Sequence, residues 1–230
     1  MVDIKSNVEA IREKIASAAE RSGRRAEEIK LMAVSKYHPL DMMTEASKFV
    51  DLLGENRVQE AVLKRSGWPS DNSVPWHLIG HLQRNKARRA LETFDAIESV
   101  DSLDLARMLD RISAESNVTS YPVFIEVKMS DEPSKEGVDP SEAEYLLERV
   151  LEYCPRLSVE GLMTVGPNTE DAAAVRSAFA RLRELRDALC ASCGIPLREL
   201  SMGMSGDYET AVEEGSTIVR IGTAIFGPRQ

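Results

Sequence analysis

The sequence predicts an α/β fold, a single (β/α)₈ TIM barrel. Three observations carry this. Short apolar runs alternate with amphipathic stretches along the chain, and regular strand–helix alternation implies a parallel sheet with helices outside. Eight such units fit into 230 residues, close to the roughly 250 typical of this barrel. The main competitor, an open doubly wound sheet, lacks its usual signals: no G-x-G-x-x-G follows the first strand and there is no P-loop. No linker rich in Gly, Pro or Ser divides the chain, so one domain over 1–230, with an N-terminal helix, is expected.

Each element has its own warrant. Residues 3–20 form an amphipathic helix with Ile4, Val8, Ile11 and Ile15 on one face, broken at Ser22-Gly23. Residues 31–36 are the first strand, apolar as a strand buried on both faces must be. Pro39 suits the first turn of the next helix. Residues 51–54 are the second strand, and a helix begins at Val58 with Ala61 and Val62 on its inner face. Residues 76–80 are the third strand, with a helix over 85–91, and 96–100 the fourth. Ser102 caps a helix carrying Leu105, Met108, Leu109 and Ile112. Residues 122–127 are the fifth strand, and Pro140 opens a helix. Residues 159–165 are the sixth strand, and a long helix runs over 171–193. Residues 200–202 are a weak seventh strand, Asp207 caps a short helix, and 217–221 are the eighth, followed by a short tail.

Composition excludes several function classes. The net charge is -9 and aromatics are 5%, so a basic duplex-binding footprint and stacking platforms for single strands are both poorly supported. The one basic cluster, Arg84, Lys86, Arg88 and Arg89, reads as a solvated helix face. No apolar run reaches the roughly 18 residues of a membrane span. The N-terminus lacks the apolar core of a signal peptide, and three cysteines fit a reducing compartment, so a cytoplasmic protein is expected. Cys190 and Cys193 form a lone C-x-x-C at a helix C-terminus, which suits neither zinc nor redox work. His77 and His81 straddle a strand end and do not make a zinc pair.

In such a barrel the reactive face is the C-terminal end of the strands. Lys36 ends the first strand there. Desolvation would favour its neutral amine, the form that attacks a carbonyl, although a snorkelling strand-end lysine fits as well. The loops after strands seven and eight, 201–206 and 220–224, combine glycines with Ser and Thr hydroxyls, the pattern of a barrel phosphate site. Two ordinary turns with caps would also explain each loop singly. A lysine facing a phosphate site suits an aldehyde cofactor carrying a phosphate, pyridoxal 5′-phosphate. Asn56, at the end of strand two, either hydrogen-bonds a ligand or caps the next helix.

Six segments carry a resemblance: Ala33-Val34-Ser35-Lys36, the run from Gly54 to Glu60, the run from Trp76 to Lys86, Gly161-Leu162-Met163-Thr164, the run from Leu200 to Ser205, and the run from Val219 to Gly227. In order and over nearly the whole chain, they resemble the pyridoxal phosphate homeostasis proteins, the YggS/PROSC family. The resemblance implies a barrel like the N-terminal domain of alanine racemase. It implies pyridoxal phosphate as a Schiff base on Lys36, phosphate contacts from Ser205, Gly222 and Thr223, and Arg220 near the pyridine nitrogen, with Ser201 able to approach the phosphate loop. Asn56 is the weakest carry-over. Leu53 stands where relatives commonly have Phe.

Arginine keeps its proton, so Arg220 would leave the pyridine nitrogen unprotonated and the ring a poorer electron sink. The expected role is therefore a carrier that holds the cofactor and releases it to apo-enzymes, as a monomer, without catalysis. A small racemase is the alternative, with Tyr37 or Tyr208 as a second acid/base at the mouth. A phosphosugar-binding barrel is a third reading.

Overall fold

The computed structural model describes residues 2–130, 132 and 135–228. Eight parallel strands form a closed barrel: β1 (Lys30–Val34), β2 (Leu52–Glu55), β3 (Trp76–Leu78), β4 (Ala96–Val100), β5 (Tyr121–Glu126), β6 (Leu157–Met163), β7 (Glu199–Ser201) and β8 (Ile218–Ile221). Each strand pairs with the next, and β8 returns to pair with β1 through Lys30↔Ile218 to Ala33↔Ile221. Every residue of β2, β3, β4 and β8 is buried, because lumen and helices cover the two faces of the sheet.

The helices are α1 (Ile4–Arg21), α2 (Leu40–Ala46), α3 (Val58–Ser66), α4 (Ala87–Thr93), α5 (Leu103–Glu115), α6 (Ala143–Tyr153), α7 (Ala172–Cys193), α8 (Tyr208–Glu213) and α9 (Thr223–Phe226). The larger core lies between strands and helices. The smaller fills the lumen with Met32, Leu52, Ala96, Phe124, Met163 and Ile218. On α1 the predicted face of Ile4, Val8, Ile11 and Ile15 is buried; each such side chain contributes about 1.5–3 kcal/mol. Asn7 of α1 donates to Ile225 O at 2.9 Å and so ties this helix to α9.

Several details differ from expectation. β1 stops at Val34, so Lys36 stands two residues beyond the ladder in a turn. Pro39 is the extended cap residue before α2, outside its first turn. Ser102 and Asp207 occupy cap positions but their side chains make no capping bond; Asp207 Oδ1 instead accepts from Met204 N at 2.6 Å. The helix expected from Asn85 opens as a 3₁₀ turn, Arg84–Lys86, before α4. The expected tail contains the extra helical turn α9. In the basic cluster Arg84, Arg88 and Arg89 are exposed and Lys86 half-buried; Arg84 pairs with Asp104 at 2.8 Å and Arg88 with Glu115.

Candidate functional site

The pairing of β1 with β8 builds the site. Its register runs Met32↔Arg220 and Ala33↔Ile221, which brings Val34 level with Gly222. A Cβ built on Gly222 would lie 3.4 Å from Val34 O. Lys36, half-buried just past Val34, therefore sits on the rim beside the start of α9.

The loop after β7 joins from the other side. Arg220 N donates to Gly203 O at 2.9 Å, and Ala224 N to Ser205 Oγ at 3.4 Å. Gly203 is left-handed (φ 95°), and a Cβ there would lie 2.6 Å from Ala211 Cβ, so only glycine lets this loop close onto α8. Half-buried Ser205, half-buried Gly222 and exposed Thr223 thus come together at one corner of the rim. Asn56 follows β2 at the same end of the barrel. Its backbone lies against Gly80, where a Cβ would meet Asn56 O at 2.4 Å.

Below the rim Arg220, Ser201 and His77, each weighed separately from the sequence, join with Glu98 in a polar relay that the sequence reading did not assemble. Inward-facing positions alternate along each strand. The Arg220 guanidinium, 4% exposed, donates to Ser201 Oγ at 2.8 Å and to Thr164 O at 2.7 Å. Ser201 donates to Glu98 Oε2 at 2.5 Å, and His77 Nδ1 lies 2.6 Å from Glu98 Oε1. Burial pulls the Arg220 guanidinium below its ordinary value, while Glu98, Glu126 and Asp207 oppose that pull. Burial alone would raise the Glu98 carboxyl, but His77, Arg220 and Ser201 together hold it below the usual range. Glu126, 6% exposed, has a buried Oε2 without a hydrogen-bond partner among the described residues, and burial pushes its carboxyl up to about 7 despite Arg220.

Two expectations need correction here. Ser201 does not approach the phosphate loop: it is fully buried and bonded between Arg220 and Glu98. Tyr208, expected to approach the mouth, is instead buried where α8 begins, 6% exposed. Tyr37 is 55% exposed, with the Arg57 guanidinium 5.4 Å from its ring centre. The two histidines part company, His77 in the lumen and exposed His81 3.7 Å from Asp101. A cleft of about 850 Å³ beside the rim is lined by Tyr37, His38, Met42 and Phe226.

This donor set suits a ligand with an electrophilic carbon for an amine, a hydrogen-bond acceptor for a guanidinium, and an anion for hydroxyls and amides at a turn. Arg220 uses two N–H groups in the bonds above, of the five an arginine carries.

Comparison with known proteins points the same way. The family model "Alanine racemase, N-terminal domain" matches residues 6–230. A pyridoxal phosphate homeostasis protein of Aquifex aeolicus is 42% identical over 219 residues, covering 95% of each chain. PipY of Synechococcus elongatus PCC7942, solved with PLP bound, is 38% identical with a TM-score of 0.80, covering 93% of this chain and all of that one. Alanine racemase of Clostridium difficile 630 shares the fold, with a TM-score of 0.72 at 17% identity; the match covers 97% of this chain and 56% of that one.

Proposed function

The chain belongs to the family of the pyridoxal phosphate homeostasis proteins, and from that premise we propose that it binds pyridoxal 5′-phosphate, holds it covalently through Lys36 and releases it to apo-enzymes. The observation that carries this reading is the β1–β8 pairing, which sets Lys36 beside the turn of Gly222 and Thr223, above buried Arg220. When bound, the cofactor supplies an aldehyde whose carbon joins an amine nitrogen with loss of one water. Lys36 contributes that amine. Ser205, Gly222 and Thr223 receive the phosphate through hydroxyls and backbone N–H groups. Arg220 would meet the ring nitrogen; a guanidinium donates a hydrogen bond but does not give up its proton, so that nitrogen would stay unprotonated. Asn56 adds a polar contact at the rim. The Glu98–Ser201 pair holds Arg220 in place from below.

In this reading the protein is a carrier without catalysis of its own, monomeric and cytoplasmic. Two-base racemisation needs a second acid/base opposite Lys36; of the tyrosines considered for it, Tyr208 is buried in α8, and Tyr37 is the chain neighbour of Lys36 with its ring under Arg57. The described residues contain no helix long and apolar enough to cross a membrane.

The test is chemical trapping. Protein incubated with pyridoxal 5′-phosphate, reduced with borohydride and digested should carry one pyridoxyl group, on Lys36, and Lys36→Ala should carry none. An adduct scattered over surface lysines would sink the reading. Added amino acids in deuterated water should exchange their α-proton no faster than with free cofactor; faster exchange would favour the racemase.

A further inference from the structure

Outside the barrel wall, under α3, lies a charged cluster that the proposed binding does not use. Lys64 Nζ is 2.6 Å from Glu55 Oε1 and 2.8 Å from Glu60 Oε1. It also donates to Ser35 O at 2.9 Å. Ser35 Oγ donates to the same Glu55 Oε1 at 2.7 Å, and Glu60 Oε1 accepts the Tyr37 N–H at 2.7 Å. The residues on both sides of Lys36 are thus bonded to one three-residue cluster.

The geometry of that turn needs such support. Tyr37 is left-handed (φ 67°), a conformation that costs a non-glycine residue roughly 1–2 kcal/mol. His38 N closes the turn onto Ser35 O at 3.0 Å. The inner pair of the cluster is largely buried, the Lys64 side chain 10% exposed and that of Glu55 not at all, while Glu60 is 24% exposed at its outer edge. Desolvating each ion costs several kcal/mol, so a buried pair of this kind is weak evidence for stability; fixing one conformation is a better-attested use.

We propose that Lys64, clamped between Glu55 and Glu60, is a positioning residue that locks the Ser35–Tyr37 turn and thereby fixes the Lys36 amine on the rim. The inference rests on the reading of Lys36 as the attachment point. It assigns α3 a second task, since one turn of this helix then sets the backbone of the reactive residue.

The experiment compares wild type, Glu60→Ala, Glu60→Gln and Lys64→Met. It reads three quantities: the rate of borohydride-trapped attachment of pyridoxal 5′-phosphate to Lys36, the affinity for pyridoxine 5′-phosphate, which has no aldehyde, and the amide exchange of Tyr37. Glu60→Ala and Lys64→Met should slow attachment by at least about tenfold, since misplacement by roughly 1 Å can cost a hundredfold. Both should speed Tyr37 exchange and leave pyridoxine phosphate affinity unchanged. Glu60→Gln keeps an acceptor for the Tyr37 N–H and should restore most of the rate. Attachment at the wild-type rate in Glu60→Ala and Lys64→Met would overturn the proposal. So would a parallel loss of pyridoxine phosphate affinity, which marks a general structural role. If wild type takes no adduct on Lys36, the functional reading itself fails, and the inference with it.

Discussion

Glu126 is the residue at which pH acts most directly on the lumen. Its folded carboxyl is raised to about 7 by burial, with Asp101, Glu136 and Glu98 pushing the same way and Arg220 opposing. Between the ordinary value of 4.5 and about 7, the folded chain keeps a proton that the unfolded chain has released. Raising the pH through that window therefore lowers stability, by up to about 3 kcal/mol if the whole shift is realised. Glu126→Gln should flatten this slope in urea denaturation from pH 5 to 8 and be more stable than wild type above pH 7. An unchanged slope would mean that Glu126 is ionised in the folded state. The outer parts of the candidate site are legible in the sequence as candidates, because Lys36 and the glycine–hydroxyl run at 220–223 interrupt or end apolar runs. Glu98, Glu126 and Glu55 were overlooked, though a carboxylate inside a strand buried on both faces always demands a partner or a proton. Lys64 gave a poorer signal, since Glu60 and Lys64 at i, i+4 read as an ordinary solvated helix pair.

At the scale of elements, apolar periodicity revealed every strand and the order of helices, but not their ends. Pairing with β8 ends at Ala33↔Ile221 and Ser35 O is taken by the turn, so the run through Lys36 leaves the ladder after Val34. The run 76–80 is likewise cut at Leu78. The α9 turn escaped notice because four residues carry too little period to be seen. The loop between β7 and α8 depends on Gly203. Gly203→Ala sets a methyl against Ala211 and Tyr208 in a left-handed backbone, and should lose about 1–3 kcal/mol in denaturant melts. Its affinity for inorganic phosphate should fall too, because this loop carries Ser205. Wild-type behaviour on both counts would show that the loop tolerates another path.

For the whole molecule, the ligand is expected to act as a staple across the β1–β8 contact. At a hundredfold excess over its dissociation constant a ligand adds about 2.7 kcal/mol to stability. Pyridoxal 5′-phosphate should therefore raise the melting temperature of wild type, and raise that of Lys36→Ala less, since that variant keeps only the reversible contacts. Equal shifts would place the bound molecule away from Lys36. The pairing of the first strand with the last has one more consequence. The proposed amine and most of the proposed anion cradle lie almost the whole length of the chain apart, just past the ends of β1 and β8. A nascent polypeptide emerging from the ribosome presents its lysine early and its anion cradle last. On the proposed reading such a chain would have no grip on the vitamin until synthesis is nearly over, and a translation product truncated before β8 should bind none.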